Sequence, residues 1–225
     1  MDDRMRASTV QAPESAPHGV PSGLFRILIS VALAALALGT GAATVLAYGS
    51  PVPCGARAEA PVFSPWGDGS GYFLVPNGGF ENGSAEWALS GAAQVVSGNE
   101  SYRVAGSGDW HSLQLAPNGS AESRTICVTS GEEAIRLFVN NPHVSGAILH
   151  VDATVRNPTS GAMGYAAFDV NGDVPSTSWA PTMRLGIPKM FGDGGTQELT
   201  LRFTLRGTPA TWGIDDVYVD PFKSY

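Results

Sequence analysis

Past position 70, apolar residues recur at every second position in short runs. Leu199, Leu201, Phe203 and Leu205 interleave with Thr200, Arg202 and Thr204, and Leu149, Val151, Ala153 and Val155 interleave with His150, Asp152 and Thr154. Ile135, Leu137 and Val139 alternate with Arg136 and Phe138, and Val217 and Val219 with Asp216 and Tyr218. Side chains of an extended chain point alternately to opposite faces, so each run reads as a strand with one buried face. Turn formers punctuate the runs at Asn82-Gly83, Asn118-Gly119, Asn157-Pro158, Asn171-Gly172 and Gly192-Asp193-Gly194-Gly195. No 3.6-residue period competes with them. The pattern predicts an all-β domain, a two-sheet antiparallel β-sandwich, with a closed barrel as the alternative.

The first part of the chain follows another rule. Residues 1–23 form a polar leader, and residues 24–47 hold an uncharged apolar run from Ile27 to Ala47 behind Arg4, Arg6 and Arg26. A stretch of this length spans a bilayer core as one hydrophobic N-terminal helix, either a signal peptide or a transmembrane anchor. Small residues suited to cleavage stand at Val45-Leu46-Ala47 and at Ala56-Arg57-Ala58. Residues 48–70 then read as a linker and 71–225 as the sandwich. Both alternatives place the domain outside the cell, secreted or on the extracellular face of the membrane, with only the N-terminal segment in contact with lipid.

Composition agrees with strands and turns. The chain has 225 residues, 28 of them Gly and 16 Pro, and only 15% are charged against a norm of about 25%. The formal net charge is −7, which disfavours a nucleic-acid groove. The two cysteines permit one pairing, Cys54 with Cys127, worth roughly 4 kcal/mol by loop closure, two free thiols being the alternative.

Signatures of catalysis are absent: no G-x-S-x-G elbow, no phosphate-binding Gly-rich loop and no H-E-x-x-H. The four histidines are not spaced for zinc, and His150, on a polar strand face, is expected to meet solvent. Glu132-Glu133 after Gly131 reads as a solvated turn. Asp215 and Asp216 are neighbours in a strand, so alternation sends them to opposite faces and they cannot form a glycosidase pair. A carboxylate set among Val and Ile nevertheless needs a counter-charge, and Ca²⁺ or an Arg would supply it.

Asn77-Gly78-Gly79-Phe80-Glu81, with Trp87 shortly after and Ile214-Asp215-Asp216-Val217 at the end, resembles the jelly-roll carbohydrate-binding modules of galactose-binding-like fold. The resemblance covers both ends of the domain and little of its middle. It implies that first and last strands lie together with a structural Ca²⁺ between them, held by Glu81 and Asp215 or Asp216. The chain also looks like exported proteins of actinobacterial type, a resemblance that implies no activity. Asp169-Val170-Asn171-Gly172-Asp173 opens like an EF-hand loop but lacks the later Glu, so a hairpin turn at Asn171-Gly172 is expected there.

Sugar rings stack their C–H faces on flat aromatic side chains. Trp87 and Trp212 are expected in the core, while Trp110, Tyr165 and Trp179 lie in settings that permit exposure and are the candidate ligand-binding residues. The leading expectation, which rests on the resemblance to carbohydrate-binding modules, is a non-catalytic, exported or membrane-tethered glycan-binding module, a monomer whose partner is an extracellular polysaccharide or cell-wall polymer. A cell-surface structural or protein-interaction domain is the alternative, and a hydrolase is a more remote one.

Overall fold

The computed structural model describes residues 54–172, 179–192 and 195–221; the leader, the apolar run and the helix expected there lie outside them. Among the described residues the strands are β1 (Phe73–Leu74), β2 (Trp87–Ser90), β3 (Ala93–Ser97), β4 (His111–Leu115), β5 (Ser120–Ser123), β6 (Ile126–Thr129) and β7 (Glu132–Asn140). They continue as β8 (Ala147–Arg156), β9 (Met163–Asn171), β10 (Ala180–Pro181), β11 (Leu185–Gly186), β12 (Thr196–Gly207) and β13 (Trp212–Pro221). Two antiparallel sheets result. A seven-stranded one runs β10-β7-β13-β4-β3, with β1 also on β13 and β11 on β7; a six-stranded one runs β2-β5-β12-β8-β9, with β6 also on β12. The sandwich therefore has the class the alternation predicts. First and last strands are neighbours, Phe73 facing Val219 and Leu74 facing Tyr218.

The alternating runs supply the core between the sheets. Leu199, Leu201 and Phe203 of β12, Leu149, Val151, Ala153 and Val155 of β8, and Ile135 and Leu137 of β7 are all fully buried. Each such aliphatic or aromatic side chain contributes about 1.5–3 kcal/mol by leaving water. Trp87 and Trp212 are buried as expected; the Trp87 ring stacks on Phe203 at 5.4 Å and tilts against Phe80 at 5.2 Å.

A second apolar layer covers part of the outer face of the seven-stranded sheet. Phe138 and Tyr218 alternate with core residues and so point outward, where Phe63 and Tyr72 bury them. Phe63 stacks on Phe138 at 5.5 Å, and the Arg136 guanidinium lies 4.1 Å over the Phe63 ring while donating to Asp68 at 3.0 Å. Residues 54–70, read from the sequence as a linker, thus include a buried aromatic anchor. They are also tied down covalently by the Cys54–Cys127 disulfide, whose Cα atoms are 5.1 Å apart.

Three local expectations are corrected. Glu132 is not in a solvated turn: it opens β7, is buried, and binds Arg57 and the Thr129 N–H. His150 does not face solvent. It is buried on the outer face of the six-stranded sheet because Asp152 (3.0 Å) and Asp169 close over its two ring nitrogens. Asn171-Gly172 does not take the positive φ values expected of a tight hairpin turn: Gly172 instead donates to the Ala147 carbonyl at 2.7 Å, extending the pairing of β9 with β8, and residues 173–178 lie outside the described residues.

Candidate functional site

The sequence motif Asn77-Gly78-Gly79-Phe80-Glu81 builds one wall of an acidic chamber. Val75 donates to the Val217 carbonyl at 3.0 Å, and Val217 donates to the Gly78 carbonyl at 3.1 Å, locking the Gly-Gly segment onto the last strand. No side chain fits between them. A Cβ on Gly78 would stand 2.7 Å from the Val217 carbonyl, and one on Gly79 would stand 2.9 Å from Asp216 Oδ1.

The floor of the chamber is an irregularity in β13. Asp215 faces Phe138 and Tyr218 faces Arg136, so two residues of β13 stand where β7 offers one. This is a β-bulge, and Asp216 takes φ of 47°, in the left-handed region that non-glycine residues seldom enter. The extra residue breaks the alternation. Ile214 and Val217 both point into the core, and the two aspartates between them are both drawn to the Gly79 side, with Oδ1 atoms 2.9 and 3.9 Å from its would-be Cβ. The expectation that Asp215 and Asp216 diverge is therefore overturned by the bulge.

The segment between β3 and β4 closes the chamber from above. Glu100, fully buried, accepts the N–H groups of Tyr102 and of Val104 (2.6 Å), while its own N–H donates to Asp215 Oδ2 at 2.9 Å. Asp109 accepts the Asn99 carboxamide on Oδ2 at 2.9 Å. Among the described residues, Asp109 Oδ1 is buried without a hydrogen-bond partner, and neither oxygen of Asp216 accepts a hydrogen bond of normal geometry. One carboxylate oxygen from each of Glu100, Asp109 and Asp216 lies within 4.8 Å of the others.

No basic side chain is among the partners of these oxygens, and the electrostatics follow. Burial pushes the Asp109 carboxyl up to about 6, with Glu100 and Glu81 adding repulsion against the Asn99 amide. Asp215 and Asp216 are driven far above the usual carboxylate range, first by burial, then for Asp215 by Asp216 and for Asp216 by Asp109 and Glu100. Buried carboxylates without donors are costly, so this geometry holds either protons or a cation.

Of the residues singled out for a metal, Asp216 lies in this group and Asp215 beneath it. Glu81 is committed at the rim. Burial raises its carboxyl, but the Trp110 N–H (2.7 Å), then the His111 ring (3.1 Å) and N–H (2.6 Å), hold it below the usual value. Glu100 and Asp109 were not singled out from the sequence. Their spacing carries no motif, and only the fold brings the β3–β4 segment over β13.

The three candidate aromatics are not brought together. Trp110, beside the chamber, is exposed and carries the Arg103 guanidinium 4.2 Å over its ring. Tyr165, 71% exposed, lines a shallow groove of about 690 Å³ on the outer face of the six-stranded sheet. Arg202 of β12 stands in that groove with Glu122 of β5 and Asp152 of β8 as its cross-strand partners, and Thr154 and Thr200 complete the polar floor. Trp179, half-buried, lines a separate groove on the seven-stranded sheet.

No protein-family model matches the chain, and no curated protein matches it. Three solved structures are similar to part of the chain. TmCBM61, solved with β-1,4-galactotriose, is similar at 19% identity and a TM-score of 0.38, over 65% of this chain and 96% of that one. The C-terminal family 22 carbohydrate-binding module of Clostridium thermocellum Xyn10B is similar at 11% identity and a TM-score of 0.38, over 65% of this chain and 93% of that one. The enzymatically active domain of bacteriophage CBA120 tailspike protein 4 is similar at 14% identity and a TM-score of 0.44, over 65% of this chain but 21% of that one. At these identities the likeness concerns the fold.

Proposed function

We propose that this chain is an exported, non-catalytic glycan-binding module whose ligand lies along the groove over the six-stranded sheet, with Tyr165 as the stacking platform. The observation that carries the reading is the Tyr165 ring, 71% exposed in a groove otherwise floored by hydrogen-bonding side chains. The exposed face of an aromatic ring offers a flat apolar surface on which the C–H face of a sugar ring can stack. Arg202, Glu122, Asp152 and the two threonines offer the donors and acceptors that sugar hydroxyls need. Glycosidic hydrolysis needs one carboxyl kept protonated by burial beside the scissile bond. Here Asp152 is 40% exposed and bound to His150, while the strongly shielded carboxyls lie in the chamber. Export is supported by the Cys54–Cys127 disulfide, a bond suited to oxidising compartments.

In the same reading the chamber is a structural Ca²⁺ site. Ligand oxygens on one calcium ion lie about 2.3–2.6 Å from it, and the Glu100, Asp109 and Asp216 oxygens, all within 4.8 Å of one another, are close enough to share one ion. The orphaned Asp109 and Asp216 oxygens fit such an ion. Bound there, it would offset two of the cluster's negative charges and cross-link the 98–110 segment to the last strand, a stabilising role.

Calorimetric titration with neutral oligosaccharides tests the binding reading. Tyr165→Ala is expected to weaken the best ligand at least tenfold, about 1.4 kcal/mol. An unchanged affinity refutes the platform, and no binding to any glycan refutes the function. A protein-contact role finds its support in an apolar groove of about 390 Å³ lined by Val139, Val170, Pro181, Leu185 and the exposed Met183. That role becomes the better reading when every glycan fails.

A further inference from the structure

The outer face of the seven-stranded sheet carries a second groove, on the opposite side of the sandwich from Tyr165. Its volume is about 320 Å³, and its floor crosses β3, β4, β13 and β7. The chemistry of its lining differs from that of the first groove: among the described residues, no lining residue bears a charged side chain. The carboxamides of Asn140 and Gln114 and the Thr211 hydroxyl provide the polar positions, Ser112 and Asn141 being buried beneath them and bonded to Gly98 and to Asn171 and His143, and the Trp179 indole forms the apolar wall.

The wall depends on an absence in the strand. Gly213 stands on β13 between core residues Trp212 and Ile214, so a side chain there would project outward into this groove. Its Cβ would lie 2.8 Å from the Trp179 ring and 3.0 Å from Asn140 Cβ. Glycine in a strand interior costs stability, and one reason to find it there is close approach by another group. Here that group is the indole, which rests against the strand because position 213 has no side chain. Beyond one end of the groove, the Asn99 carboxamide is already engaged with Asp109, which places the negative chamber next to that end.

We propose that this groove is a second saccharide site, taking a neutral sugar against Trp179, so that one chain grips two glycan segments on opposite faces. The proposal shares the ligand class of the Tyr165 reading but rests on a different surface. Carboxamides present a donor and an acceptor side by side and so pair with vicinal hydroxyls without the desolvation cost of a charge. A uronic acid finds no cation among the described lining residues and meets the field of the acidic chamber, so the groove selects against it.

The test is calorimetric stoichiometry with neutral hexasaccharides of glucose, xylose, galactose and mannose, with hexagalacturonate as the anionic probe. The wild type is expected to bind two equivalents of one neutral probe. Tyr165→Ala keeps one equivalent; Trp179→Ala loses the other, its affinity falling at least tenfold; the double variant binds none. Asn140→Asp, at an exposed position that leaves Trp179 and the fold in place, is expected to weaken the same equivalent. Hexagalacturonate should bind this groove at least tenfold less tightly than the neutral probe. If the wild type binds a single equivalent that Tyr165→Ala abolishes and Trp179→Ala and Asn140→Asp leave alone, the second site is wrong and the first stands. If no probe binds any form, both are wrong.

Discussion

Removing the charge of Asp109 is the sharpest probe of the acidic chamber. In cation-free protein its folded-state pKa stands at about 6 against an ordinary 3.8. The folded chain therefore keeps a proton that the unfolded chain gives up. Stability from this group is complete below about pH 4 and is lost as pH rises to about 6, where the loss levels off. A gap of about 2 units at about 1.4 kcal/mol per unit makes the loss about 3 kcal/mol. At about 2–4 °C per kcal/mol for a domain of this size, that is about 6–12 °C in Tm. Asp109→Asn cannot ionise, so the Tm difference between variant and wild type, measured in EDTA by scanning calorimetry at pH 4 and pH 7, should change by that amount in the variant's favour. Carboxylates outside the chamber, such as Glu132, largely cancel in this difference. Calcium should act in the opposite sense. At a thousandfold over its Kd it would stabilise the wild type by about 4 kcal/mol at pH 7, or about 8–16 °C, and the variant by far less. A pH-independent difference together with no response to calcium would refute the chamber as both a strained acid cluster and a cation site.

Two further outcomes follow from the same framework. Gly79→Ala places a methyl group 2.9 Å from Asp216 Oδ1 in a packed site, and should cost about 1–3 kcal/mol in urea unfolding, with the calcium response reduced. Cys54→Ser with Cys127→Ser releases residues 54–63 from β6 and should cost about 4 kcal/mol by the loop-closure relation, read as a lower urea midpoint. Unchanged midpoints would show that the Phe63 anchor and Arg57 hold that segment unaided.

How far the fold could be read in advance depended on periodicity. Strands β8 and β12 alternate cleanly because one face meets the core and the other meets water, so Leu149 to Val155 and Leu199 to Leu205 announce themselves. Alternation fails where both faces are covered. Phe138, an outward residue, is as buried as its inward neighbours because Phe63 and Tyr72 lie over it, and no pattern within β7 foretells a cover contributed from a distant segment. His150 was misread for the same reason. Its polar strand face is real, but Asp152 and Asp169 arrive from its own and the adjacent strand to shield it.

The acidic chamber was half legible, and its missing half has a stated signal. Trp212 and Ile214 set one phase of alternation, whereas Val217 and Val219 set the other; an odd spacing of three between Ile214 and Val217 requires one extra residue between inward positions. A run that changes phase without a turn former inside it indicates a bulge, and the residues at the phase change are the ones turned to the same side. Applied to Trp212-Gly213-Ile214-Asp215-Asp216-Val217-Tyr218-Val219, this places both carboxylates together. It also explains why Asp216 tolerates a φ of 47°, since aspartate enters the left-handed region more readily than most residues. Glu100 and Asp109 stay beyond such reasoning. They reach Asp215 and Asp216 only because β4 pairs with β13, bringing the segment between β3 and β4 over the bulge, a long-range register that no local spacing encodes.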